Sequence, residues 1–386
     1  MGAMVRLVRV AVVAALAVAL SGCLRLDVYL LSHDDMGGRQ NGTDGSLLAQ
    51  EYLLGYLRAW TVGPFDGDGD DAYRQSFTDG TNLVGIVPGT TRADEYVLVG
   101  GHYDHLSTCR LSTAEDSICN GATDNATGTA VVVDVLRAIA LGRTPERSVI
   151  FAFWDREEDG LLGSAAYAAD PPVPLDDVVA YVNFDIQGAN LRPSGRTTTF
   201  AVGAETGGPV LIDAVERAAA PSTLDTRLLS LIFGLGRSDH AVFAARNVPV
   251  VFFTDSTGPC YHSVHDDFGV VDLDKLDQQS ATARRTVRDL ANGPERPTFA
   301  TGLPLATFDD FLSVHQLLER MIAEDLDTFP TSDAATLVEK FEVVDDIVEA
   351  GPDALTSSTM ATGLLAINDV INLITRGDCD GFLAGS

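Results

Sequence analysis

Residues 149 to 154, Val-Ile-Phe-Ala-Phe-Trp, leave this chain little choice of local structure. The run is short, β-branched and aromatic, which predicts a strand buried in a sheet. It stops abruptly at Asp155, Glu157 and Glu158, followed by Gly160 and Gly163. In an open α/β sheet, ligands bind beyond the carboxyl ends of the strands. The acidic edge is therefore a candidate site, where one glutamate could hold a metal while its neighbour moves a proton. The bland alternative is a polar strand-to-helix loop.

The pattern recurs. Val97-Leu98-Val99-Gly100-Gly101 leads into His102-Tyr103-Asp104-His105, and Val179 to Phe184 leads into Asp185. Asn120 to Asn125 opens a helix-like stretch, and Val248 to Phe253 is followed by Tyr261-His262. Further strand candidates are Asn82 to Gly89, Tyr96 to Gly100 and Thr198 to Val202, with a short strand-like piece at Leu26 to Leu31. Helical spacing of apolar residues runs over Ala49 to Trp60, Thr127 to Leu141, 208 to 220 and 273 to 291. Alternating strands and helices predict an α/β fold, a mostly parallel central sheet covered by helices on both faces.

Asn292 to Pro297 reads as a boundary between a catalytic domain at 24–292 and a helical extension at 298–386. In the extension, Phe308 to Leu326, Asp333 to Val348 and Thr359 to Thr375 have helical patterns. The extension would form a small bundle that packs on the catalytic domain or covers its cleft, but a mere stabilising appendage is the favoured reading.

Zinc accepts His and carboxylate ligands, and a dinuclear site needs one carboxylate that bridges. Six pieces occur in order: His102-Tyr103-Asp104, Gly121 to Asn125, Glu157 to Ser164, Asn183-Phe184-Asp185, Ser238-Asp239-His240 and Tyr261-His262. Together they resemble the di-zinc aminopeptidase family, whose relatives include glutamate carboxypeptidase and glutaminyl cyclase. The resemblance spans about residues 33 to 290 and implies a zinc exopeptidase-like fold. It implies two zinc ions, one held by His102 and Asp185, the other by Glu158 and His262, with Asp124 bridging.

It also implies Glu157 as general base, Asp104 orienting the His102 imidazole from behind, and Tyr261 polarising the scissile carbonyl. His105 and His265 fall outside the matched pattern, and surface or supporting roles are expected for them; His240 is expected to shape the pocket wall. Arg156 departs from the family pattern, standing where relatives often carry Gly. The activity implied is that of an exopeptidase acting on peptide or protein N-termini. The alternatives are a single-zinc glutaminyl cyclase, a carboxypeptidase, or a surface scaffold that has lost activity.

Met1 to Cys23 reads as a secretory signal: Arg6 and Arg9 precede an apolar stretch, Val10 to Leu20, too short to span a bilayer. Leu20-Ser21-Gly22-Cys23 resembles a bacterial lipobox, making Cys23 the lipidated residue and membrane anchor. Leu24 after it, by resemblance to Gram-negative sorting, suggests an exported lipoprotein at the outer membrane or cell surface, or on the periplasmic face.

Cys109, Cys119, Cys260 and Cys379 remain, an even number that suggests two disulfides in an exported chain. Of three pairings, Cys109 with Cys119 is the easiest closure. Cys260 with Cys379 would then tie the C-terminal tail to the site's rim; a free Cys260 beside the metal is the competing reading. The formal charge of −29 argues against nucleic acid as a partner. An acidic rim suits a substrate with a free ammonium group. Asp66, Asp68 and Asp70 alternate in a Gly-rich loop, but Asp71 stands where an EF-hand needs Gly.

Overall fold

The computed structural model describes residues 24 to 376 and Cys379, so the lipidation site assigned to Cys23 lies outside the described residues. Eight strands form one sheet in the order β1-β2-β4-β3-β5-β8-β6-β7. They are β1 (Arg74–Phe77), β2 (Gly80–Val87), β3 (Arg92–His102), β4 (Arg147–Trp154), β5 (Val178–Phe184), β6 (Thr198–Val202), β7 (Asp225–Leu229) and β8 (Val250–Thr254). The centre of the sheet, β4-β3-β5-β8, is parallel, and β2 and β6 flank it in antiparallel sense. The expected α/β architecture is present.

The helices are α1 (Leu24–Leu31), α2 (Asp44–Trp60), α3 (Thr127–Ala140), α4 (Leu162–Ala169), α5 (Gly208–Ala219), α6 (His240–Ala244), α7 (Leu273–Asn292), α8 (Phe308–Asp325), α9 (Thr331–Ala350) and α10 (Ser357–Thr375). They explain why β4 is apolar throughout. Successive side chains of a strand point to opposite faces. Val149, Phe151 and Phe153 join one core with α1, α2, α3, α5 and α7. Ile150, Ala152 and Trp154 join a second core with α4 and α6. Both faces are covered, and all eight residues of β4 are buried.

Three local expectations change. Leu26 to Leu31 belongs to a helix rather than a strand, burying Leu24, Val28 and Leu31 along one stripe. Its Asp27 is also buried and accepts hydrogen bonds from Tyr52 Oη (2.5 Å) and Tyr56 Oη (2.6 Å). Helix α2 starts at Asp44, earlier than its apolar pattern, because Thr43 caps it by accepting from the Ser46 amide. The strands β1 and β7 carry no apolar run: Arg-Gln-Ser-Phe and Asp-Thr-Arg-Leu-Leu lie at the two sheet edges. The Asp66 to Asp70 segment is a surface loop whose Asp70 pairs with Arg58 at 3.0 Å.

Helices α8 to α10 pack against one another and onto the sheet. Phe311, Leu318, Met321, Val344 and Ile367 form a third core with Phe200, Val202 and Phe252 of β6 and β8. The helix starts are well defined, with Thr307–Asp310 and Thr356–Thr359 capping boxes on α8 and α10. No described helix is long and apolar enough to cross a membrane. Cys109 pairs with Cys119, and Cys260 with Cys379. The free-Cys260 alternative is thereby overturned.

Candidate metal centre

The parallel strands end together, and their last residues supply the site. His102 closes β3, Asp185 follows β5, Glu157 and Glu158 follow β4, and His262 lies on the loop after β8. Asp124 comes from the loop that opens α3. His102 Nε2 lies 3.4 Å from Asp124 Oδ1 and 3.4 Å from Asp185 Oδ1. His262 Nε2 lies 3.0 Å from Asp124 Oδ2 and 3.2 Å from Glu158 Oε2. Asp124 thus faces each histidine with a different oxygen.

Neither Nε2 atom has a hydrogen-bond partner, and Asp185 Oδ1 has none either, although all are buried. Buried polar atoms are rarely left unmatched. Imidazole nitrogens gathered among carboxylate oxygens, close but without hydrogen-bond geometry, are what a divalent cation satisfies. Two candidate groups result: His102, Asp124 and Asp185; and His105, Asp124, Glu158 and His262.

His102 Nδ1 lies 3.1 Å from the Asp104 carbonyl, which can only accept; Nδ1 is therefore the donor there, and Nε2 is the nitrogen that faces the carboxylates. The Asp104 carboxylate sits 3.4 Å from the same ring. It also accepts from the amides of Glu157 (3.1 Å) and Glu158 (3.3 Å), so one side chain holds both the first histidine and the turn bearing the glutamate pair. Glu157 belongs to neither candidate group, yet lines the same cavity as Glu158, Asp124 and Asp185.

The electrostatics follow from carboxylates crowded at the end of a buried sheet. Burial by itself would lower His262, but Asp124 and Glu158 lift it to about 10. Burial likewise works against the charged form of His102, and Asp185 and Glu157 raise it well above its ordinary value. A field that favours a proton on those nitrogens favours a cation beside them. Burial pushes Glu157 well above the usual carboxylate range; His102 opposes the shift and Asp185 adds to it. Burial also keeps the Tyr261 phenol protonated, reinforced by Asp124 and Glu158. Tyr261 lines the cavity and stacks on His262 at 3.7 Å.

The loop carrying Asp124 is supported by residues the sequence did not single out. Asp266 accepts from Thr123 N (2.9 Å), Thr123 Oγ1 (2.8 Å) and Asp124 N (3.1 Å). Arg39 is fully buried and donates to the carbonyls of Tyr103 (2.8 Å), Asn120 (2.7 Å) and Gly121 (3.0 Å), tying the end of β3 to this loop. An isolated Asp or Arg in a polar stretch carries no spacing signal. Gly121 did belong to a motif, and its φ of 54° shows why. A Cβ there would come within 2.2 Å of the Asp124 carbonyl oxygen and 2.5 Å of the His105 ring.

Of the two roles expected for His105, the supporting one holds and the surface one does not. It is fully buried inside the site, with Nδ1 2.8 Å from Glu158 Oε1 and 3.9 Å from Asp124 Oδ2. The chain turns it back from β3 toward Glu158. His265 lies outside both candidate groups. His240 does not line the cavity; it is buried and stacks at 4.4 Å on Phe252, which does. Burial lowers His240 to about 3, so it is neutral.

The model of peptidase family M28 matches residues 82–287, more than half of the chain. The mouse aminopeptidase NAALADL1 is 35% identical over 124 residues, which are 30% of this chain and 15% of that relative. The chain thus spans a small part of the curated relative's length. The LapA aminopeptidase of Legionella pneumophila matches in structure with a TM-score of 0.55 at 20% identity, over 70% of this chain and 72% of that one. A glutaminyl cyclase of Bacteroides thetaiotaomicron, solved with N-acetylhistamine, matches with a TM-score of 0.54 at 17% identity, over 69% and 96%. At such identities the structural likeness establishes the fold. The matched stretch runs from β2 into α7 and contains every residue from His102 to His262 that the site brings together, and the chain belongs to peptidase family M28.

Proposed function

We propose that the chain is a zinc-dependent exopeptidase, and specifically an aminopeptidase that hydrolyses the N-terminal peptide bond of peptides. The observation that supports this most is Asp124, which offers one oxygen to each of two unpartnered imidazole nitrogens. Two ions fit: one held by His102, Asp124 and Asp185, the other by Asp124, Glu158 and His262. Bound zinc would supply Lewis acidity to the attacking water and the scissile carbonyl.

The chain's own residues do the rest. Glu157 takes a proton from the attacking water and passes it to the leaving amine. The protonated Tyr261 phenol donates to the carbonyl oxygen as negative charge develops there. The carboxylates of the cavity favour a substrate whose free ammonium lies nearby, which directs the enzyme to N-termini. Lipid anchoring at Cys23 and export to the bacterial surface remain part of the proposal, supported by the lipobox-like stretch.

The test is to incubate the zinc-loaded protein with free-N-terminal and N-blocked peptides and identify products by mass. Release of single N-terminal residues from the free peptides alone is the expected result. Trimming from the C-terminus would replace this reading with a carboxypeptidase. Cyclised N-terminal glutamine, with one zinc per chain, would replace it with a glutaminyl cyclase.

A further inference from the structure

The cavity that contains Glu157 and Glu158 does not end at the sheet. It has a volume of about 530 Å³ and continues between α8 and α10 of the C-terminal extension. That volume lies within the ~300–1,000 Å³ of sites that enclose a whole small molecule. The lining residues divide sharply by origin. The charged ones, Asp124, Glu157, Glu158, Asp185 and Arg237, all come from the sheet ends and their loops. Those from the extension are all aliphatic or methionine, among them Val314, Leu318, Met321, Val370, Ile371 and Ile374. Phe200 and Phe252 face them from β6 and β8.

The extension is fixed to the site rather than leaning on it. The Cys260–Cys379 disulfide joins the chain just beyond α10 to the residue before Tyr261-His262. The hydroxyls of Thr257 and Thr375, the last residue of α10, lie 2.6 Å apart. Asp310 of α8 accepts from the Ser230 amide (2.8 Å) and hydroxyl (2.7 Å) at the end of β7. The family match ends at residue 287, before any of these helices begins.

We propose that α8 and α10 form the specificity wall of the active site, and that the substrate is a peptide whose terminal residue carries a large apolar side chain lodged between them. The proposal rests on the peptidase reading for the chemistry and on the cavity for the selectivity. A leucine or phenylalanine side chain entering this chamber leaves water for an apolar lining. A charged side chain would be stripped of water against α8 and α10, which offer it no partner; the one cation in the lining, Arg237, belongs to the loop after β7. An alanine side chain would leave most of the chamber unfilled and lose those contacts.

The test uses the intact, disulfide-bonded, zinc-loaded protein with leucyl, phenylalanyl, alanyl and glutamyl arylamides, and free phenylalanine and alanine as calorimetric binding probes. The expected kcat/KM for leucyl and phenylalanyl substrates exceeds that for alanyl and glutamyl by at least about tenfold. Ile371→Trp, at a half-buried lining position, fills the chamber. It is expected to lower the phenylalanyl kcat/KM and phenylalanine binding about tenfold or more, with the alanyl value within about threefold. Met321→Ala is expected to enlarge the chamber and shift preference toward the phenylalanyl substrate, and thermal melting checks that both variants fold.

Hydrolysis of all four substrates in a ratio that neither variant changes would overturn the wall and leave the peptidase reading standing. No hydrolysis, with phenylalanine binding present and lost in Ile371→Trp, would overturn the peptidase reading and support the wall.

Discussion

His105 Nδ1 lies 2.8 Å from Glu158 Oε1, while Glu158 Oε2 is 3.2 Å from His262 Nε2. One carboxylate is therefore gripped at one oxygen and presented at the other. Residues that orient metal ligands typically change affinity by about 10–100-fold when removed. His105→Ala is expected to weaken zinc binding by that factor, measured by chelator competition, with far-ultraviolet circular dichroism unchanged. Unaltered affinity would remove His105 from the metal centre.

Glu157 and Glu158 are neighbours in the chain with different surroundings. Glu158 touches His105 and His262, whereas Glu157 belongs to neither ligand group. Glu157→Gln is expected to lower kcat by about 10²–10⁴ with zinc content unchanged, as removal of a general base does. Glu158→Gln is expected to lose zinc instead. Metal analysis alongside steady-state kinetics separates the two, and equal zinc loss in both variants would contradict the assignment.

Gly121→Ala should disturb the centre without touching a ligand. The added methyl would meet the Asp124 carbonyl at 2.2 Å, on backbone already in the left-handed region. The expected cost is about 1–3 kcal/mol of stability, read by urea unfolding, together with weaker zinc binding.

A pH effect is expected far from the site, at Asp27. Burial raises this carboxyl from 3.8 to about 6, opposed by hydrogen bonds from Tyr52 and Tyr56. The folded chain then holds the proton more tightly than the unfolded chain between pH 4 and 6. Stability from this group is complete below about pH 4 and falls as pH rises to about 6, by roughly 3 kcal/mol. Asp27→Asn should flatten that part of the stability curve, seen as a smaller loss of melting temperature from pH 4 to 6 than in the parent. An identical pH dependence in both proteins would refute it.

The longer helices and the central strands were legible because their patterns are local. Thr127 to Leu141 repeats at helical spacing, and the apolar runs of β3, β4, β5 and β8 are bounded by Gly, Asp and His. The edge strands β1 and β7 were not, because an edge strand with one neighbour and partial exposure needs no apolar run. Leu26 to Leu31 misled because six residues of an amphipathic helix are too few for periodicity to separate it from a strand. The partner of His105 and the role of Asp266 were not legible for a related reason. Each acts through a partner more than 50 residues away, and nothing in their spacing marks it.

What the sequence determined by itself is the inventory: parallel strands ending in His and carboxylate, a glutamate pair in a turn, and four cysteines for two disulfides. These follow from residue type and short-range order. The tertiary structure decided which oxygens of Asp124 face which histidine, that His105 grips Glu158, and that α8 and α10 extend the cavity with an apolar wall. Such relationships arise only when segments remote in the chain are packed together, because the geometry of a site depends on atoms that no local pattern brings near one another.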